Sequence, residues 1–387
     1  MNKEALIALT EAQQNRLFDL ACQIFDCPET ALEEFFASKL LADDLENQGF
    51  TVERGVGELP TAFRAVWKNG EGGPNIGILG EYDALPGKGH ACGHHLQTPG
   101  AIGAAVAIKK LFEGTDIPFT LTVYGTPAEE SKGGKILMIK QGCFRELDVV
   151  LASHATRVKG FVSTGSYASS SYTITFHGKS AHAAGSPWQG RSAMDAMILA
   201  FQGIEFMREH VKEGTRMHYS IAEAIGPSNV VPAKAVCTVL LRSKDNSYIP
   251  ELVERLRKVV KGACLMTETT ADFQYKNAYM ARKPNDTLGR VCLDNYAWLG
   301  IPIQEPPMRS SGGSSDVGNV STIVPTAGVY IPYVDSTSHS DLWVENGKSE
   351  KALSCMMGTA KILAGVTYDL LTDPEIIKKA KKEFDSI

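Results

Sequence analysis

No stretch of the chain approaches the roughly 20 consecutive apolar residues that a membrane-spanning helix requires. The opening segment MNKEALIALTEAQQNRLFDLACQIF reads as an amphipathic helix interrupted by charged and amide side chains, without the apolar centre of a secretion signal. The expected location is therefore cytoplasmic, with no membrane partner. Positive charge is also in short supply: 39 Lys and Arg against 44 Asp and Glu leave a net charge of −5, which gives no basic footprint for nucleic acid. Cysteine is sparse, and Cys22, Cys27, Cys92, Cys143, Cys237, Cys264, Cys292 and Cys355 follow no framework spacing. Reduced thiols are expected, not disulfides. Two signatures of chemistry are missing as well. There is no Gly-x-Ser-x-Gly nucleophile elbow, and Gly87-Lys-Gly lacks the Ser/Thr and the upstream glycine of a phosphate loop. What is present is an ordinary globular composition, 43% hydrophobic and 21% charged, able to bury a large core and suited to a small-molecule or protein partner.

At 387 residues the chain is long for one core, and about 150 residues per domain suggests two or three. After an opening helical region to Gln48, β-type runs at Thr51–Arg54, Phe63–Lys68 and Asn75–Gly80 begin an α/β pattern. It continues through a buried helix at Thr98–Phe112, a strand at Phe119–Gly125, a helix at Gly134–Gln141 and a strand at Asp148–Ser153. That alternation predicts a mostly parallel central sheet covered by helices. Near Tyr167 the pattern changes. Strand Ser170–Phe176, helix Arg191–Val211, strands Met217–Ala224 and Ala235–Arg242, helix Ile249–Leu265 and strand Ala271–Tyr275 follow in β-α-β-β-α-β order, a ferredoxin-like α+β unit. The flanks share a signature that the middle lacks, so residues 169–277 are read as an inserted domain within a larger one formed by 1–168 and 278–387.

Three clusters carry candidate chemistry. The segment Gly80-Glu-Tyr-Asp-Ala-Leu-Pro-Gly-Lys-Gly-His-Ala-Cys-Gly-His-His95 follows a strand and packs one Cys and three His into six residues. A thiolate and an imidazole separated by one glycine can turn toward one cation, although satisfied structural histidines would give the same pattern. Glu129 and Glu130, after the next strand, point apart if extended, so that one can bind metal while the other faces substrate as a base; alternatively, they complement a helix N-terminus. His154 ends a third apolar run. A single histidine there would be read as structural, but three strand ends delivering Cys/His, Glu/Glu and His to one sheet edge argue together for a site.

The segments GEYDALPGKGHACGHH, TPAEES, SHAT, GKSAHAA, NVVP, SSDVGNVS and TSH, in that order, resemble the M20 family of metal-dependent peptidases and amidohydrolases. The likeness is to its aminoacylase/carboxypeptidase branch, which includes aminobenzoyl-glutamate hydrolases and the aminoacylase-1-like-2 dipeptidases. It implies a zinc-peptidase-like catalytic domain with an inserted lid and dimerisation domain, and two divalent ions per subunit, Zn²⁺ or Mn²⁺, held by Cys92, His94, Glu130, His154 and His339. By the same resemblance Glu129 is the general acid/base and Asp83 orients a ligand from behind. The resemblance also makes His182, in the GKSAHAA segment, a candidate oxyanion stabiliser, acting within its own subunit or, as in relatives, across a homodimer formed through the lid domain, while Asn229, Arg242 and Ser315 contact the substrate, the first two through its carboxylate. One position departs from the pattern. Most members of the branch carry Asp or Asn where this chain has His95, which is expected first as an outer partner of a ligand, with an additional ligand or a harmless neighbour as the alternatives.

The implied activity is hydrolysis of the amide bond of an N-acyl amino acid or a dipeptide with a free carboxylate, by metal-activated water and a Glu base. Two other readings stay open on the sequence: a related C–N hydrolase or deaminase acting on an aromatic amine, and a non-catalytic, metal-stabilised dimeric binding protein.

Overall fold

A computed structural model describes residues 2–224 and 226–386. The chain forms two compact units, Met1–Ser166 with Arg282–Ile387, and Tyr167–Ala281. The strands among the described residues are, in chain order, β1 (Thr51–Arg54), β2 (Phe63–Asn69), β3 (Asn75–Gly80), β4 (Phe119–Gly125), β5 (Val149–Thr156), β6 (Gly160–Gly165), β7 (Ala168–His177), β8 (Arg216–Glu223), β9 (Lys234–Ser243), β10 (Thr270–Tyr279), β11 (Ile303–Ser310) and β12 (Thr326–Pro332).

In the first unit eight strands make one mixed sheet in the order β1-β2-β4-β3-β5-β12-β6-β11. Its centre is parallel, through the β4–β3, β3–β5 and β5–β12 pairs, and β6 with β11 adds a fourth parallel pair. The β1–β2, β2–β4 and β12–β6 pairs are antiparallel. Ile76, Ile78, Leu121, Val123, Val149 and Leu151 are buried along the central strands, as continuous apolar runs covered on both faces must be. The helix His94–Phe112 crosses behind them, almost wholly buried, and packs against the helix Glu350–Thr372. Its small residues permit that approach: a Cβ at Gly100 would lie 2.7 Å from Thr359.

The helix begins at His94, four residues earlier than the sequence pattern suggests, and carries Pro99 inside it. Gly93 makes the early start possible. It adopts φ 79° at the position before the helix, a conformation open to glycine, and so turns the chain directly from Cys92 into a first turn that exposes two histidines to different surroundings. Strands β6 and β11 are not among those the sequence pattern predicts. Both are short or irregular, and β11 contains two prolines and register shifts against β6, which fits its place at the sheet edge.

The second unit is the β-α-β-β-α-β fold, with helices Ala193–Arg208 and Ile249–Thr267 between strands that pair antiparallel in the order β10-β7-β9-β8. Ile174, Phe176, Cys237, Val239 and Leu241 meet Met197, Ala200, Leu252 and Leu256 in its core. The outer strand β8 is different. Only Met217 is buried along it, while Tyr219 and Ile221 face out.

Candidate metal centre

The carboxyl ends of the parallel strands β3, β4, β5 and β12 deliver the candidate residues to one edge of the first unit, the place where open α/β sheets hold their ligands. The loop after β3 supplies Glu81, Asp83 and Cys92, and the helix that follows begins with His94. The loop after β4 supplies Glu129 and Glu130, β5 carries His154, and the segment after β12 supplies His339. Gly93 holds Cys92 and His94 against the sheet; a Cβ there would come within 3.1 Å of that of Ala155.

Four groups of three side chains bring ligand atoms within 4.8 Å of one another: Cys92, His94 and His154; Cys92, Glu130 and His339; His94, Glu129 and Glu130; and Glu81, Glu129 and Asp316. Cys92 belongs to the first two. Its Sγ lies 3.3 Å from His154 Nε2, near the roughly 3.6 Å that a shared tetrahedral zinc implies from ordinary Zn–S and Zn–N bond lengths. His154 bonds the Ala155 carbonyl through Nδ1 at 2.6 Å, which places the proton on Nδ1 and leaves Nε2 a lone pair toward the thiol. His94 is turned the same way. Its Nδ1 meets Asp83 Oδ1 at 3.0 Å, and its Nε2, buried and without a hydrogen-bond partner, faces Glu81 at 3.4 Å and Glu130 at 4.0 Å.

Glu130 Oε1 is likewise buried without a hydrogen-bond partner and stands 3.6 Å from His339 Nε2. Two orphaned buried polar atoms facing one another, with a thiol and two imidazoles around them, are the donor set a divalent cation would satisfy. The residues therefore fit such an ion. His339 reaches the group on a backbone at φ 67°, pinned by its N–H to the Ala91 carbonyl at 2.8 Å, beside Cys92.

The electrostatics divide the carboxylates. Burial alone would raise Glu130, but His339 and His94 reverse this and hold it at about 2. Glu129, one residue away, is pushed well above the usual carboxylate range by burial and by the charges of Glu81 and Asp316. Burial also raises the Cys92 thiol, and a bound cation would reverse that shift, since a coordinating thiol is deprotonated. Adjacent carboxyls held on opposite sides of their ordinary range are the arrangement expected of an anchor and a proton carrier.

His95 has other neighbours than those expected. Its Nε2 lies 2.9 Å from the Gly347 carbonyl, its ring packs on Phe25 and His90, and it enters none of the four groups. One step along a helix turns a side chain by about 100°, so His94 and His95 cannot face the same group. Ser315 is half-buried and accepts the Val317 N–H at 3.2 Å, just before a short helical turn. It is its neighbour Asp316, fully buried, that joins the acidic group.

His182, Asn229 and Arg242 belong to the second unit. There the Ala183 N–H donates to the Asn229 carbonyl at 2.9 Å, and His182 bridges Val230, so His182 and Asn229 are held together. The His182 Nδ1 accepts N–H groups from Ala184 at 3.2 Å and Gly185 at 3.0 Å. An acceptor Nδ1 leaves the proton on Nε2, which makes the exposed edge of that ring a donor. Arg242 lies half-buried on β9 opposite Ser169 and Arg216.

Two residues that the sequence does not single out complete the geometry. Lys135 is fully buried against Glu81 and Asp316, and Glu81 connects it to His94. The only sequence signal of Glu81 is position, directly after a strand that ends at that edge, and Lys135 lies further on, in the helix Gly134–Lys140 that follows β4.

The description "Peptidase family M20/M25/M40" matches residues 77–342. The chain is 33% identical to a p-aminobenzoyl-glutamate hydrolase subunit of Escherichia coli (strain K12), over 97% of this chain and 93% of that one. It is 32% identical to the Xaa-Arg dipeptidase of Mus musculus, over 99% and 92%. Among solved structures it superimposes on the Bacillus subtilis YXEP protein, described as a dinuclear metal binding peptidase from the M20 family, with a TM-score of 0.70 at 20% identity, covering 93% of this chain and 99% of that one.

Proposed function

The chain belongs to peptidase family M20/M25/M40 and is a hydrolase of that family, and from that premise we propose that it is a dinuclear metallo-amidohydrolase of N-acyl amino acids or dipeptides with a free carboxylate. The observation that carries this reading is the sharing of Cys92 between two ligand groups, with the raised carboxyl of Glu129 beside them. Cys92, His94 and His154 would hold one cation and Cys92, Glu130 and His339 the other. When bound, the cations would supply a Lewis acid for the carbonyl and lower the pKa of water.

The chain's own residues do the rest. Asp83 fixes the His94 ring by accepting at Nδ1, so that Nε2 is presented to the centre. Glu129 takes a proton from the attacking water at its carboxylate and returns it to the leaving amine; its raised affinity for protons suits both halves of that exchange. The Nε2–H of His182 donates to the carbonyl oxygen as charge develops there, and Arg242 with Asn229 holds the substrate carboxylate. The names of the two curated relatives, one acting on p-aminobenzoyl-glutamate and the other an Xaa-Arg dipeptidase, support a substrate with a free α-carboxylate.

A homodimer through the second unit belongs to the same reading. The edge strand β8 leaves its N–H and C=O groups open on one side, Ile221 is exposed, and Phe206 on the adjoining helix is 72% exposed. An open, apolar strand edge of this kind is normally covered in solution.

The test is a mass-spectrometric screen of acyl amino acids and dipeptides with Mn²⁺ and Zn²⁺ forms of the purified chain. Release of a free amino acid, dependent on metal and abolished by a chelator, is expected. Ammonia released from an arylamine, or two bound ions with no turnover of any panel member, would overturn the reading.

A further inference from the structure

Lys135 has no exposed surface. Its Nζ donates to Glu81 Oε1 at 2.6 Å and to Asp316 Oδ1 at 2.7 Å, and its main-chain N–H donates to the second Asp316 oxygen at 3.0 Å. Glu129 places a carboxylate oxygen within 4.8 Å of those of Glu81 and Asp316. Of the four candidate cation groups, then, this one already contains a cation, supplied by the protein. Burial alone would strip the ammonium of its proton, but Asp316 and Glu81 reverse that and hold it above the ordinary lysine range.

The same contacts fasten a loop. Glu129 and Glu130 sit in a tight turn between Ala128, at φ 61°, and Gly133, whose N–H returns to the Ala128 carbonyl at 2.9 Å. Two residues on, Lys135 ties the exit of that turn to the loop after β3, through Glu81, and to the segment after β11, through Asp316. Three carboxylates so close cannot all stay ionised without a positive charge among them, and a mobile cation there would compete with the ligand groups next to it.

We propose that Lys135 is a positioning residue: its ammonium fills the acidic pocket of Glu81, Asp316 and Glu129, excludes a further divalent cation from it, and holds Glu129 where it acts as base. The last part rests on the role given to Glu129 above.

The experiment compares the parent with K135M and the charge-balanced double variant K135M/D316N in the metal-loaded protein. K135M should lower kcat by about 100-fold or more, the range of a general base displaced from its place. The double variant, which removes one charge of each sign, should recover the thermal midpoint lost in K135M while kcat stays low, even with the two groups that share Cys92 filled. Recovery of kcat to within about 3-fold of the parent together with the midpoint would make Lys135 a structural ion-pair partner only and overturn the proposal. If K135M does not fold, the double variant decides by the same split. A second readout needs no turnover. On dialysis against Mn²⁺, whichever of K135M and the double variant folds should bind one equivalent more than the parent; parental stoichiometry would overturn the exclusion of a further cation. Should the parent hydrolyse nothing, the proposed activity fails, and the metal count alone still tests the place of Lys135.

Discussion

One carboxylate oxygen of Asp83 meets His94 Nδ1 at 3.0 Å while the other accepts the Glu130 main-chain N–H at 2.9 Å. A single side chain thus sets the spacing between candidate ligands from two different strand ends. Both partners are donors, so an amide in its place would have to point its NH₂ at one of them. Asp83→Asn should weaken metal binding by about 10- to 100-fold, as loss of an orienting partner does, measured by chelator competition. An unchanged affinity would remove Asp83 from the role.

Glu129 lies beside the candidate ligands yet is not needed to complete the two groups that share Cys92. Glu129→Gln keeps the shape and abolishes proton transfer. Metal content should stay at the parental level while kcat falls by about 100- to 10,000-fold; near-parental turnover would sink the assignment.

The double backbone donation to His182 Nδ1 fixes a tautomer that nitrogen NMR can read directly. Nε2 should carry the proton near neutral pH, and His182→Ala should lower kcat by about 100- to 1,000-fold, the usual effect of losing an oxyanion donor. If this His serves the partner subunit, mixing inactive Glu129→Gln and His182→Ala proteins will restore activity, up to about a quarter of parental with random exchange between dimers. The double variant F206D/I221D should abolish that complementation by giving monomers in light scattering.

Burial, with the charge of His94 adding to it, lowers His90 from 6.5 to about 3. Between those values the unfolded chain binds a proton that the folded chain does not. Its contribution to stability is therefore full above 6.5 and is lost on acidification, at up to about 1.4 kcal/mol per pH unit. His90→Gln removes this linkage. Urea unfolding at about pH 7 and about pH 5 should show the parent losing about 2 kcal/mol more than the variant, and equal losses would contradict the buried neutral imidazole.

Much of the fold is legible because apolar periodicity is local. Val149–Thr156 and Phe119–Gly125 are buried runs that announce themselves, and the β-α-β-β-α-β order of the second unit follows from alternation alone. The short strand at Gly160–Gly165 and the proline-bearing one at Ile303–Ser310 are not, since the first is defined by pairing with β12 and β11 and the second by pairing with the first. The site divides in the same way. His154 lies in a legible strand, and Cys92, His94, Glu129 and Glu130 lie in the segments that follow such strands, where sequence and topology meet. Lys135, at the start of the predicted helix Gly134–Gln141, carries no local sign of burial, because what buries it is Asp316, 181 residues away. His95 misleads for a related reason: adjacency in a motif is not adjacency in space, and the first helical turn separates it from His94.

The two groups that meet at Cys92 are unequally sealed. His94 is enclosed and His154 half-buried, whereas the side chain of His339 is 49% exposed and comes from a left-handed backbone outside any strand or helix. A pair of ions held this way would exchange at different rates, the enclosed one staying through purification and the outer one following the supply in its surroundings. Such a chain would respond to metal starvation by falling to a one-ion form that keeps its fold and regains its second ion without refolding.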